Sequence, residues 1–429
     1  MTSLGPIFAD DLARVKPGDR LRLTISAQTS DAAALAQAAL EARARGERVL
    51  VVCADPADVP RLAQEMPWFE PKLDVRPLPD WETLPYDVLS PQEELVSERL
   101  EALYRLTAPT GGADVLLTSA VTASQRLSPV SYIGANTFFF HQGEQISLTT
   151  LQKRLAAAGY ANVKQVLAAG EFAVRGSIVD VFPMGSERPF RLDFFDDEIE
   201  SIRWFDVDTQ RSMESAEEIR LLPGHEFPVD PEALLAFRQR WRREFAGDPK
   251  KSIVYCDIEK EILPPGIEYY LPLFFDETAA LTDYLPPNAR VFLLGDIEAA
   301  LQAFGRDMAS RYKVFAADPQ RPALAPERIW LKPEEFFKSL ANFARFTVEK
   351  KENAEDLKRL SGIEVDRKSQ NPVGKLLERT RESAMKGVRT LIAAPSAGRM
   401  ETMSQLLRTG GLSVEEFPDW QTFLEADSA

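Results

Sequence analysis

A strand, a short loop, a helix and a second strand follow one another within the first 53 residues, and no other stretch restricts the fold as tightly. Residues 21–25 and 49–53 read as apolar strand runs. The helix between them, over 31–45, carries Ala34, Leu35, Ala38 and Ala39 on one face and stops at Gly46. Strands that are apolar all round belong in a sheet covered on both faces, so the chain opens as a parallel α/β layer. A helix around 58–65, a strand near 73–78, a helix from Pro91 with Leu95, Leu100, Leu103 and Leu106 inward, and a strand over 114–118 continue the pattern. Residues 1–128 therefore read as one doubly wound layer.

The chain has 429 residues, which at about 100 to 200 per domain suggests three domains. No stretch approaches the roughly 20 consecutive apolar residues that span a bilayer, so no membrane association is expected. The formal charge of -15 repels a phosphate backbone, and any nucleic-acid contact would need a local basic patch. Two cysteines, Cys53 and Cys256, make no disulfide framework, and His141 and His225 lie too far apart in sequence for a zinc motif. The N-terminus lacks the basic start and apolar core of a signal peptide, and a cytoplasmic monomer is the expectation.

After residue 128 the texture changes. Residues 137–223 hold short strand-like runs, FAVRGSIVDVFP, FRLDFF and EIESIRWF, separated by turn signals, as in a small β-rich domain. Asp196-Asp197 between two of these runs reads as a tight hairpin turn rather than a metal cluster. Residues 224–348 return to an α/β texture with a helix over 231–245 and a strand over 290–294. Residues 350–429 form a last α/β piece that echoes the first: 389–424 run parallel to 48–85, each giving a strand, a small-residue turn, a helix, a strand and Pro-Asp-Trp. The alternative is that any two α/β units look alike. Because the second copy stops soon after its Trp420, the last domain is expected to be cut short. Trp81 and Trp420 read as packing anchors, and Cys53 as a small core residue. The basic cluster Arg238, Arg240, Arg242, Arg243, Lys250 and Lys251 is interrupted by Glu244 and Asp248 and reads as a solvated helix face.

Within FRLDFF, period-two alternation places Phe190, Leu192 and Phe194 on one face and Arg191, Asp193 and Phe195 on the other. If the first set is core, Phe195 stands exposed beside an arginine. That is the composition of a binding hot spot, although a single surface phenylalanine is also commonly innocent. Residues 137–223 carry 9 Lys and Arg against 14 Asp and Glu, which argues against a DNA clamp.

The runs LPDWETLPYDVLSPQEELVSERLEALYRL (78–106), VRGSIVDVFPMGSERPFRLDFFDDEIESIRWFDVDTQRSMESAEEIRLLPGHEFP (174–228) and LPPGIEYYLPLFF (263–275) resemble the N-terminal region of the bacterial transcription-repair coupling factor (Mfd) family. The resemblance implies a module similar to the excision-repair protein UvrB, with degenerate P-loop NTPase-like, helicase-like α/β halves at 1–128 and 224–348. It also implies an inserted domain at 137–223 and a further α/β domain at 350–429. The family continues into an RNA-polymerase-interacting domain and an ATP-driven double-stranded-DNA translocase, which would be the parts that use ATP. The inserted domain is implied to bind the damage-sensing ATPase UvrA through two arginines and an aromatic, which map onto Arg175, Arg191 and Phe195. The family further implies that the translocase half masks this surface.

An ATP site is not expected in this stretch. The loop Ser26-Ala27-Gln28-Thr29-Ser30, where the resemblance places a phosphate cradle, has neither the glycines nor the lysine such a cradle needs, and Asp31 follows at the helix start. The second half reads LLGDIEA, so Asp296 is kept but Ile297 stands where a carboxylate would orient the attacking water. The expected chain is a non-catalytic adaptor with no metal and no cofactor. The competing readings are a UvrB-like ATP-dependent helicase and a purely structural brace.

Overall fold

The computed structural model describes residues 14–25, 30–108, 112–350, 363, 373–394 and 396–426. Its largest element is a six-stranded, all-parallel sheet in the order β1-β14-β13-β2-β4-β3. The strands are β1 (Arg20–Ile25), β2 (Val49–Cys53), β3 (Val75–Pro77), β4 (Val115–Ser119), β13 (Arg290–Leu294) and β14 (Ala344–Lys350). Every residue of β2, β4 and β13 is buried, as central parallel strands require. The helix Ser30–Ala44 packs with alanines buried all along it and ends at Gly46, whose φ of 69° lets the chain turn back.

This arrangement differs from a layer completed within residues 1–128. Strands β13 and β14, from beyond residue 289, wedge between β1 and β2, so the first strand never touches the second. Parallel strands are joined by long crossovers, and local sequence therefore carries no record of which strands become neighbours.

The inserted segment is a second, mixed sheet in the order β11-β10-β9-β8-β7-β6, built from β6 (Ala161–Asn162), β7 (Glu171–Arg175), β8 (Ile178–Val181), β9 (Phe190–Phe195), β10 (Glu198–Phe205) and β11 (Ser212–Ala216). Its entry and exit strands, β5 (Phe138–His141) and β12 (Glu218–Leu221), pair antiparallel and close the insertion at its base. One face carries Phe172, Val179, Leu192, Phe194, Ile199 and Ile202 into a core continuous with Leu50, Leu116 and Val291 of the parallel sheet, through Leu100 and Leu103 of the helix Glu93–Thr107. The insertion is thus packed onto the α/β layer.

A buried polar hub fixes the return from the insertion. Arg99, fully buried, donates to both oxygens of Glu226 (2.5 and 3.2 Å), to the Pro79 carbonyl (2.7 Å) and to Gln125 Oε1 (2.9 Å). The Trp81 indole N–H donates to the same Glu226 carboxylate (3.1 Å). A buried ion pair is tolerated when its remaining donors and acceptors are satisfied in this way. Trp81 is accordingly a packing anchor, edge-on to Tyr269.

Near the C-terminus the helices Gly374–Met385 and Ala397–Thr409 pack around Val373, Leu377 and Leu407, and a short helix, Trp420–Glu425, follows outside that cluster. The strands expected on either side of the central helix, in the echo of residues 48–85, do not form among the described residues. A strand exists only by its ladder, and no described segment lies alongside to supply one. Trp420 instead packs its ring against Trp68 and Phe69 at the end of the helix Asp58–Phe69. No helix of the described residues is long and apolar enough to cross a membrane.

Candidate functional site

The hairpin β9–β10 turns at Asp196-Asp197, with Phe195 opposite Glu198 and Asp196 at φ 51°, the left-handed conformation that Asp tolerates. Leu192 and Phe194 point into the core, and Phe195 stands on the opposite face, 68% exposed. The alternation read from FRLDFF is realised.

On the same face, ladder registers set Asp180 of β8 opposite Arg191 of β9. Asp180 is fully buried, and Arg191 grips it with two bonds, Nε to Oδ1 at 2.7 Å and NH2 to Oδ2 at 3.0 Å. Arg175, at the end of β7, donates to Oδ2 of the same carboxylate. Asp180 therefore brings together two of the three residues singled out from sequence. Their exposures differ: the Arg175 side chain is 49% exposed and that of Arg191 only 14%. The second nitrogen of Arg191 donates inward to the Gln210 carbonyl (3.2 Å) and Ser212 Oγ (3.1 Å), and its guanidinium lies over the Phe205 ring. The bonds to Asp180 raise the pKa of Arg191. Sequence reasoning missed Asp180, whose signal was its place within an otherwise apolar strand, IVDV.

The second constellation lies at the C-terminal edge of the parallel sheet. Residues 26–29 fall outside the described residues, and Ser30 begins the helix Ser30–Ala44. Asp31, fully buried in the first turn, accepts two bonds from Arg61 (3.0 and 2.6 Å) and one from the N–H of Ala32 (2.8 Å). Arg61 also binds Asp58 and Glu65. Burial by itself would lower the pKa of Arg61, but its bonds to Asp31 and Asp58 raise it. The helix start that could welcome a phosphate thus holds a carboxylate from the chain itself. Asp296 caps the helix Ile297–Phe315 by accepting from the Ala299 N–H (2.9 Å), and Ile297 is buried in the core. Asp296 is exposed with one oxygen engaged as the cap, and Ile297 carries no acid. Among the described residues no group of His, Cys, Asp and Glu is arranged to hold a metal ion.

The basic cluster behaves as a solvated face. Arg240 pairs with Asp276, while Arg238 and Lys250 share Glu259.

Sequence models of two families match the chain: the UvrB interaction domain over residues 138–227, and the MFD D3 domain over residues 384–429. The transcription-repair-coupling factor of Escherichia coli is 42% identical over 298 residues, 69% of this chain and 26% of the relative. That of Haemophilus influenzae is 40% identical over 344 residues, 78% and 29% of the two chains. The chain belongs to the transcription-repair-coupling factor family. It spans a little over a quarter of the length of these two relatives. The identity extends to more distant members, with the coupling factor of Bacillus subtilis 32% identical over 216 residues, 47% of this chain and 18% of the relative. The matched interaction domain is the inserted sheet that carries Phe195, Arg175 and the Asp180 clasp. The matched D3 domain covers the last helices.

Proposed function

We propose that this chain is a non-catalytic adaptor module of transcription-coupled nucleotide excision repair whose inserted sheet docks UvrA. The observation that carries the reading is Phe195: a large aromatic, 68% exposed on a rigid hairpin, beside arginines already oriented by a buried carboxylate. An anchor of this kind loses little side-chain entropy on binding, because a phenylalanine has only two side-chain torsions to fix. The partner surface that fits is an apolar pocket rimmed by carboxylates. The carboxylate from Asp31 at the helix start, the capping role of Asp296 and the burial of Ile297 support a module that recruits rather than turns over ATP. In proteins of full family length, contacts with RNA polymerase and double-stranded DNA, together with ATP-driven movement and masking of the docking face, would belong to the remaining domains.

Calorimetric titration of the chain into purified UvrA without nucleotide tests the proposal. Saturable binding is expected, and Phe195→Ala should weaken it by about 2 kcal/mol, roughly thirtyfold, with an unchanged melting temperature. A folded Phe195→Ala protein with wild-type affinity would refute it.

A further inference from the structure

Across the inserted sheet, the ladder registers build a row of facing residues: Ala173, Asp180, Arg191, Arg203 and Ser215, one from each of five adjacent strands. Directly opposed residues project from the same face with Cβ atoms about 5 Å apart, so Arg191 and Arg203 are like charges abreast, an arrangement that costs stability. On the β8 side the charge is met. Asp180 takes two bonds from Arg191, and the remaining donors of that guanidinium go to Gln210 and Ser212.

Arg203 has no such arrangement. It is exposed, and among the described residues its side chain has no hydrogen bond, ion pair or ring contact. Of the acids on this face, Asp193, diagonally across the ladder, accepts from Ser201 Oγ at 3.0 Å, and Glu198 stands opposite Phe195. Arg191 could fork a foreign carboxylate only by releasing buried Asp180, whereas the exposed Arg203 side chain has no bond to give up. Arg203 also shares its face with Phe195, four residues along β9 from the facing Arg191, or about 13 Å. Both fit within one interface patch of ordinary size.

We propose that Arg203 is the guanidinium through which this face grips its acidic partner, and that Arg191 is a positioning residue whose charge Asp180 holds in place. The inference rests on the docking reading and refines it. The partner must place a carboxylate about 13 Å along the face from the apolar pocket that receives Phe195, and a neutral partner rim would be rejected by the uncompensated charge.

The test is titration of the whole chain into purified UvrA at several salt concentrations, for wild type, Phe195→Ala, Arg203→Ala and Arg203→Lys, with melting temperatures for each. Arg203→Ala should weaken binding tenfold or more and flatten its salt dependence while leaving the melting temperature in place. Arg203→Lys should recover the salt dependence but only part of the affinity, since it keeps the charge and loses the fork. Wild-type affinity and salt dependence in Arg203→Ala, alongside weakened binding by Phe195→Ala, would overturn the role of Arg203 and leave the docking reading standing. A fall of several degrees in the melting temperature of Arg203→Ala would mark a structural role and also overturn it. If wild type failed to bind, or Phe195→Ala bound as wild type, the docking reading itself would fall, and the inference with it.

Discussion

Among the described residues, two aspartates are fully buried and gripped by two bonds from an arginine, and they have opposite consequences. In the inserted sheet one carboxylate, Asp180, is shared by two guanidiniums, Arg175 and Arg191, with Arg203 alongside. At the edge of the parallel sheet one guanidinium, Arg61, is shared by three carboxylates, Asp31, Asp58 and Glu65. The bonds are alike and the stoichiometry is inverted. The first cluster leaves positive charge on the face that carries an exposed aromatic, and the second leaves negative charge at the start of the helix Ser30–Ala44. A buried Arg–Asp pair is therefore no index of function by itself; the sign of what is left over decides which ligand the site can tolerate.

The comparison can be broken from either side. The largest effect is expected from Arg61→Met, which removes the guanidinium paired with buried Asp31 and leaves three acids crowded together; a loss of about 3 kcal/mol should appear in urea unfolding at pH 7. A near-neutral result would mean that water, not Arg61, carries those charges. Asp180→Asn keeps the shape but frees both arginines, which are partly hydrated. A smaller loss, about 1–2 kcal/mol, is expected together with weaker UvrA binding, and retained affinity would show that the clasp does not orient the face.

Glu268 sharpens the contrast as an acid bonded by the Ser90 hydroxyl, at 2.8 Å, rather than by a guanidinium. Burial pushes its carboxyl up to about 7, from an ordinary 4.5. Between those values the folded chain holds a proton that the unfolded chain has released, so the stability it lends at low pH is lost as pH rises through 7. Glu268→Gln should remove that loss: its melting temperature should exceed that of wild type by a few degrees at pH 8 and match it at pH 5. An identical pH dependence in both proteins would return Glu268 to the exposed acids. This is the smallest of the expected effects, because the side chain is partly solvated.

Much of the local structure was legible in the chain. Helix and strand periodicity located β2, β13 and the helix Pro231–Glu244, residue type marked the Asp-Asp turn, and alternation separated Phe195 from Leu192 and Phe194, the structure deciding which face is core. Strand β14 was not read, because Arg345 and Glu349 disguise a strand whose Phe346 and Val348 are buried in the sheet core. The expected strands near Trp420 failed for the converse reason: their local pattern was right, and the structure supplies no neighbour among the described residues.

The candidate site divides in the same way. Residue types and spacing alone determined that the first loop lacks the glycines and lysine of a phosphate cradle, that Ile297 cannot act as an acid, and that Phe195 lies on the face of its strand opposite Leu192 and Phe194. These depend on the chemistry of single side chains and on a period of two. Only the tertiary structure decided that Asp180 binds Arg175 and Arg191 together, that Arg191 turns inward, that Arg203 does not, and that Arg61 reaches thirty residues back to Asp31. Those facts depend on strand register and on contacts between segments distant in sequence, which a one-dimensional pattern does not encode.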